Sequence, residues 1–308
     1  MSVPAAYLGV IMIWATTPLA IKWSGEGSGF LFGVVGRMTL GAILCLLVVH
    51  LMRVKLPWHR QARRTYLAAS VGIYGAMLST YWASQFIPSG WISLLFGLTP
   101  IVTSVMASLW LGERSLAPAK FVGMLFGIVG LAIIFGSGLE LGTQAVYGIC
   151  AMLFATVLHS ASAIGVKREG ASLPALAVTA GGLLYALPLY VVTWVLAGAA
   201  WPETVPVRTA GAILYLASFG SVIGFVLYFY VLKHIAAAQV ALITLVTPVA
   251  ALLMGSWLND EIISARVWTG AALILLGLAF HQWGNSLLLA LKRPEARCQN
   301  QEDSDTWS

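Results

Sequence analysis

TPIVTSVMASLWLGE, residues 99–113, returns as TPVAALLMGSWLNDE, residues 247–261. Both copies fit the pattern T-P-x5-M-x-S-x4-E, from Thr99-Pro100 to Glu113 and from Thr247-Pro248 to Glu261, a shift of 148 residues in a chain of 308. Each copy fills an apolar stretch long enough to cross a bilayer, whose core of about 30 Å needs about 20 helical residues. Two related hydrophobic halves, each with a proline at mid-helix, follow a plan shared by many secondary carriers.

Composition sets the class. The chain is 59% hydrophobic and 9% charged, with a mean hydropathy of +0.89, where soluble domains carry about 25% charge. Water does not solvate such a surface, so the expected surroundings are a lipid bilayer. The three cysteines, Cys45, Cys150 and Cys298, are too scattered for a disulfide framework, and no Cys/His spacing suggests a metal. No basic stretch precedes the first apolar run, so the first segment is expected to be a retained helix rather than a cleaved signal.

Ten spans are predicted, at roughly 4–23, 29–51, 65–86, 89–111, 116–136, 144–166, 173–197, 209–232, 236–258 and 266–290. Their connections carry Pro57, Pro88, Gly138-x3-Gly142, Pro202 and Pro206. Thirteen Lys and Arg residues fall on the side of the termini, against Lys22, Arg208 and Arg266 opposite, with Arg37 inside a span. The positive-inside rule then puts both termini in the cytoplasm of a cell membrane, read as a bacterial inner membrane. The same asymmetry accounts for the net charge of +6 without nucleic acid.

The repeat extends beyond its signature. Trp14 and Lys22 match His159 and Lys167 at the same separation of eight, Ile87 matches Ile235, and Gly123 and Gly130 match Gly270 and Gly277 after a slip of one. Each repeat holds five spans, an odd number, so the second crosses in the opposite sense. The fold class is thus an all-α integral membrane protein of ten transmembrane helices in two inverted five-helix repeats. Repeat one is residues 1–137, repeat two 138–291, and 292–308 form a polar cytoplasmic tail. Inverted repeats supply the two near-equivalent packings that alternating access requires.

These features resemble the EamA-type transporters of the drug/metabolite transporter superfamily, which include aromatic amino-acid and metabolite exporters. The resemblance spans roughly residues 4–291 and rests on Trp14 and Lys22 in span one, Arg37 in span two and the paired TP…E helices. The second copy carries Asn259-Asp260-Glu261 where the first has the more family-like Leu111-Gly112-Glu113. The resemblance implies transport of small metabolites without ATP hydrolysis.

Candidate binding residues follow from depth and chemistry. Arg37 lies about 12 Å into span two, where a cation costs about 2.5–3.5 kcal/mol to insert. It is either a clamp on an anionic group of the substrate or a structural arginine, bonded to carbonyls of a neighbouring helix or reaching the outer interface. None of the eleven acidic residues falls at mid-span, which argues against a cation-selective proton antiporter. Glu113 and Glu261 are expected to orient the helix that follows each of them. His159, near the middle of span six, is the leading proton-sensing or substrate-bonding group, ahead of His281 in span ten. Pro100 and Pro248 are predicted hinges that free the carbonyls of Phe96 and Thr244, and Thr99 and Thr247 either bond locally or face a cavity. Trp14, Tyr81 and Tyr228 are candidate lining aromatics, because their helices resemble the cavity-lining ones of the family. Gly123-x3-Gly127 fits close helix packing.

The function read from the sequence is a secondary carrier, not an enzyme, moving a small-molecule substrate outward, most plausibly an amino acid or related zwitterion. It needs no cofactor and no metal and works as a monomer or homodimer. A proton-coupled drug exporter is the alternative within transport. An intramembrane transferase is the alternative from another class; it would need clustered His, Asp or Glu groups near one face, and none is visible.

Overall fold

The computed structural model describes residues 2–111, 118–140, 142–169, 173–240, 243–277 and 279–280, and these contain helices and connections but no strand. The helices are α1 (Val3–Gly25), α2 (Phe30–Leu51), α3 (60–83), α4 (Ser89–Phe96 and Thr99–Leu111), α5 (Pro118–Glu140), α6 (Thr143–Glu169), α7 (Ala175–Leu196), α8 (Val207–His234), α9 (Ala237–Val240 and Ile243–Asn259) and α10 (Ala265–Gly277). Among the described residues, α1, α2, α4, α6, α7 and α8 are long and apolar enough to cross a membrane. Prolines open several helices, with Pro88, Pro174 and Pro206 each directly before a first turn. That position leaves their missing N–H without consequence. Large apolar side chains such as Leu8, Met12, Leu196 and Trp257 stay exposed, as expected of a surface facing lipid.

Several boundaries differ from those expected. α3 begins at Arg60 rather than 65 and ends at Ala83 rather than 86. Its first turns are amphipathic, with Arg60, Arg63 and Arg64 exposed while Ala62, Thr65, Tyr66 and Ala69 are buried, so an apolar window misses them. α5 continues past Gly138 to Glu140, leaving only Gly142, at φ 105°, in the turn. The interruption of α4 falls at Gly97-Leu98, ahead of the proline. Pro100 is therefore the second residue of a new helical piece rather than a kink within one. Pro248 does sit inside its helix, Ile243–Asn259. Glu113, His281, Cys298 and the tail 292–308 lie outside the described residues.

Two π-helical turns have no counterpart in the sequence reading: Val71–Ala76 within α3 and Leu216–Ile223 within α8. Each admits one extra residue per turn and rotates the rest of its helix. In α3 the turn is fastened by Tyr190 of α7, whose hydroxyl donates to the Ile73 carbonyl at 2.6 Å.

α5 and α10 cross backbone to backbone. A Cβ on Gly270 would stand 2.8 Å from the Gly130 carbonyl oxygen, and one on Gly277 would stand 2.5 Å from the Gly123 oxygen and 2.9 Å from the Gly127 nitrogen. Only residues without a side chain allow this approach. Gly277→Ala is expected to lower stability by about 1–3 kcal/mol through overpacking against immobile backbone. Gly136→Ala, which meets nothing within 4 Å, should be neutral. Thermal unfolding of the two variants in detergent is the check, and equal midpoints would refute the tight crossing.

Candidate functional site

A narrow cavity of about 60 Å³ lies among seven helices, smaller than a typical small-molecule pocket of about 300–1,000 Å³. α1 contributes Trp14, Thr17, Pro18 and Ile21, α2 contributes Arg37, and α3 contributes Met77 and Thr80. α4 adds Ile92, Ser93 and Phe96, α6 adds His159, α8 adds Phe225, and α9 adds Thr244 and Thr247. The surface of this wall is almost entirely apolar, Arg37 is its charged member, and among the described residues no carboxylate lines it.

Arg37 is 1% exposed. Its Nε donates to Ser221 Oγ at 3.0 Å, and its Cζ lies 5.9 Å from the centre of the Tyr81 ring. Nη1 is buried without a hydrogen-bond partner, and no carboxylate among the described residues forms an ion pair with Arg37. A guanidinium carries five donors, and a buried unmet donor costs about 1–3 kcal/mol or more. The neighbouring-carbonyl partners considered from the sequence are absent; the bonded partner is a hydroxyl.

The other candidates divide into two groups. Trp14, Phe96, His159, Thr244 and Thr247 share the wall with Arg37. His159 meets Trp14 edge-on at 5.6 Å and Phe96 at 5.7 Å. Tyr228, Tyr81 and Thr99 are buried off the wall. Tyr228 backs the cluster, 5.2 Å from Trp14 and 5.3 Å from His159, and Tyr81 stands beside Arg37 with its hydroxyl unbonded. Thr99 bonds locally: its hydroxyl donates to the Phe96 carbonyl at 2.5 Å, the oxygen expected to be free. Gly97 packs under α9, where an added Cβ would lie 3.5 Å from Pro248 Cγ and 3.6 Å from the Thr244 oxygen. Pro100 is likewise buried.

Thr17, Pro18, Thr80, Ser93 and Phe225 also line the cavity and were not anticipated. Pro18 carried a readable signal, a proline inside the first span, which frees the carbonyl of Trp14 four residues earlier. Thr17 turns its own hydroxyl back onto the Ile13 carbonyl at 2.7 Å.

The profile of the EamA-like transporter family matches residues 3–136 and 146–281. The chain belongs to that family. It is similar to a probable terminal-alkyne amino-acid exporter of Streptantibioticus cattleyicolor, 27% identical over 272 residues that cover 87% of this chain and 89% of the relative. It is also similar to the uncharacterized transporter YoaV of Bacillus subtilis, 26% identical over 280 residues, 88% of this chain and 93% of that one. The uncharacterized inner membrane transporter YedA of Escherichia coli is 26% identical over 304 residues, 92% of each chain. A crystal structure at 22% identity shares the fold with a TM-score of 0.67 over 91% of this chain and 96% of the other. This EamA-like protein is therefore a membrane transporter and not an enzyme.

In this EamA-like transporter polar contacts at the α1 C-terminal end link the two segments matched by the family profile. Glu261 does not orient α10, which follows it, but caps α4. Its carboxylate accepts from Ser89 N at 2.9 Å, Ser89 Oγ at 3.0 Å and Gly90 N at 3.4 Å. Lys22 Nζ lies 3.8 Å away. Asn259 ties in α1 and α8: its Oδ1 accepts from Trp23 Nε1 at 2.9 Å and Arg208 Nη2 at 3.2 Å, while its Nδ2 donates to Glu261 at 3.1 Å. Arg208 also stacks on the Trp23 ring at 4.2 Å. Glu261→Ala is expected to cost about 1–2 kcal/mol, the scale of a lost helix cap, and Glu261→Gln less, since it keeps an acceptor for Ser89. Denaturant unfolding in mixed micelles measures both, and an undiminished Glu261→Ala protein would show that the cap contributes nothing.

Proposed function

We propose that this transporter is a secondary carrier for a small carboxylate-bearing zwitterion, an amino acid or close relative, moved outward by alternating access. The observation that carries the reading is Arg37, a residue of the cavity wall whose buried Nη1 has no hydrogen-bond partner, where no described carboxylate lines the wall. A substrate carboxylate would supply both the missing acceptor and the missing counter-charge, and charge-assisted bonds of this kind are the stronger ones. Aromatic rings and hydroxyls elsewhere on the wall suit the remainder of such a solute. The printed name of the Streptantibioticus cattleyicolor relative, an amino-acid exporter, agrees with this substrate class. A cationic drug, the cargo of the alternative reading, would find no opposite charge there.

The mechanistic half of the proposal is ten spans in two inverted repeats, with both termini cytoplasmic. Contacts related by the repeat support it. Lys22 Nζ donates to the Ile87 carbonyl at 3.3 Å and its match Lys167 donates to the Ile235 carbonyl at 2.8 Å. Gly130 against Gly270 is mirrored by Gly277 against Gly123, the reciprocity that a two-fold relation produces. The matched pair Trp14 and His159 meet each other, as equivalent residues do near such an axis.

Arg37→Gln is expected to weaken binding of L-phenylalanine at least tenfold, within the range for a lost hydrogen bond to a charge. Binding of L-phenylalaninamide, which lacks the carboxylate, should stay within about twofold. Isothermal titration on protein in nanodiscs measures both, with the other amino acids and their amides run as a panel. Equal weakening of acid and amide throughout the panel would remove the carboxylate clamp. The topology is tested in a cysteine-free background. A cysteine at exposed Thr204 should react with an impermeant maleimide in intact cells, and one at exposed Gln61 only after permeabilisation. The opposite labelling pattern would exclude the proposed orientation.

A further inference from the structure

The π-helical turn Leu216–Ile223 in α8 lies directly against Arg37, and three details fit it to that side chain. Ser221 Oγ accepts from Arg37 Nε at 3.0 Å. The single proton of that hydroxyl faces Met38 Sδ at 3.8 Å, which leaves the oxygen lone pairs for the guanidinium. Gly220 provides the floor, where an added Cβ would stand 3.0 Å from Arg37 Nη2. Gly41, one turn beyond Arg37 in α2, lets the two helices approach: a Cβ there would meet Ser221 Cβ at 2.9 Å. In a regular helix, consecutive residues point about 100° apart. The wider π turn presents both Gly220 and Ser221 to the same neighbour.

Nε is thus held, Nη2 lies over Gly220, and Nη1 is buried without a protein acceptor, in a side chain that contributes to the cavity wall. We propose that this π turn is the positioning device for Arg37, with Ser221 and Gly220 as positioning residues that present one guanidinium edge to the cavity. They set carboxylate affinity without touching the substrate, an extension that rests on the clamp reading above. Holding a planar donor in advance removes the rotamer entropy that binding would otherwise lose.

The test has two arms, so that failure of the clamp reading and failure of the positioning reading are told apart. The first needs no substrate. In protein with 15N-labelled arginine in nanodiscs, the Arg37 Nε–H resonance, assigned by its absence in Arg37→Gln, should exchange slowly with water. Ser221→Ala should speed that exchange at least tenfold, while Ser221→Thr, which keeps the hydroxyl, should preserve it. In the second arm, Ser221→Ala and Gly220→Ala should each weaken L-phenylalanine binding roughly tenfold and leave L-phenylalaninamide within about twofold, with Ser221→Thr close to the parent. Unchanged Nε–H exchange in Ser221→Ala overturns the proposal, as does equal weakening of acid and amide. Faster exchange in a protein whose parent binds acid and amide equally keeps the positioning role and rejects the clamp. A Gly220→Ala protein that fails to fold leaves the decision to Ser221→Ala, which removes one oxygen and adds no volume.

Discussion

The Arg37 guanidinium is buried in the body of a membrane protein with one hydroxyl acceptor and no ion-pair partner among the described residues. Removing an ion from water costs several kcal/mol even after relaxation. The helices around it are arranged to meet that constraint. α2 and α8 approach through Gly41 and Gly220, the π turn brings Ser221 to Nε, and the Tyr81 ring flanks the charge. Nη1 is left without a protein acceptor. Under the proposed clamp, a substrate carboxylate would complete that donor set.

A second economy governs the two ends of the cavity. The short piece Ser89–Phe96 begins at a cap donated by Glu261, 172 residues later, and Asn259 draws Trp23 and Arg208 onto the same carboxylate. The contacts at this end are therefore polar and join segments far apart in sequence. At the opposite end, Lys167 donates to the Leu232 and Ile235 carbonyls, and Lys233 to the Leu173 carbonyl. The family-like Leu111-Gly112-Glu113 and the divergent Asn259-Asp260-Glu261 distinguish the two copies in sequence.

The helical class and membrane character were legible because hydropathy and helix length report burial in lipid directly. Six candidates named from the sequence, Trp14, Arg37, Phe96, His159, Thr244 and Thr247, share one wall. What could not be read was tertiary. Nothing in Leu216–Ile223 or Val71–Ala76 marks a π turn, because the extra residue is accommodated by neighbours, not by composition. Glu261 was assigned to its local helix by dipole reasoning, yet its partner is distant in sequence. Thr99 looked available for a cavity, but the carbonyl that the proline frees lies three residues away and takes its hydroxyl first. Pro18 is different: the signal was in the sequence and was passed over.

The span of the Arg37–Ser221 bond, 184 residues, bears on how the chain is made. During synthesis α2 enters the bilayer long before α8 exists, so its arginine must be carried as an insertion cost of about 2.5–3.5 kcal/mol until the second half emerges. Lys22 likewise precedes Glu261, its ion-pair partner near the far end of the chain. The first half is thus not a finished domain when it leaves the ribosome but an electrostatically incomplete one, and its maturation is tied to the arrival of its partner.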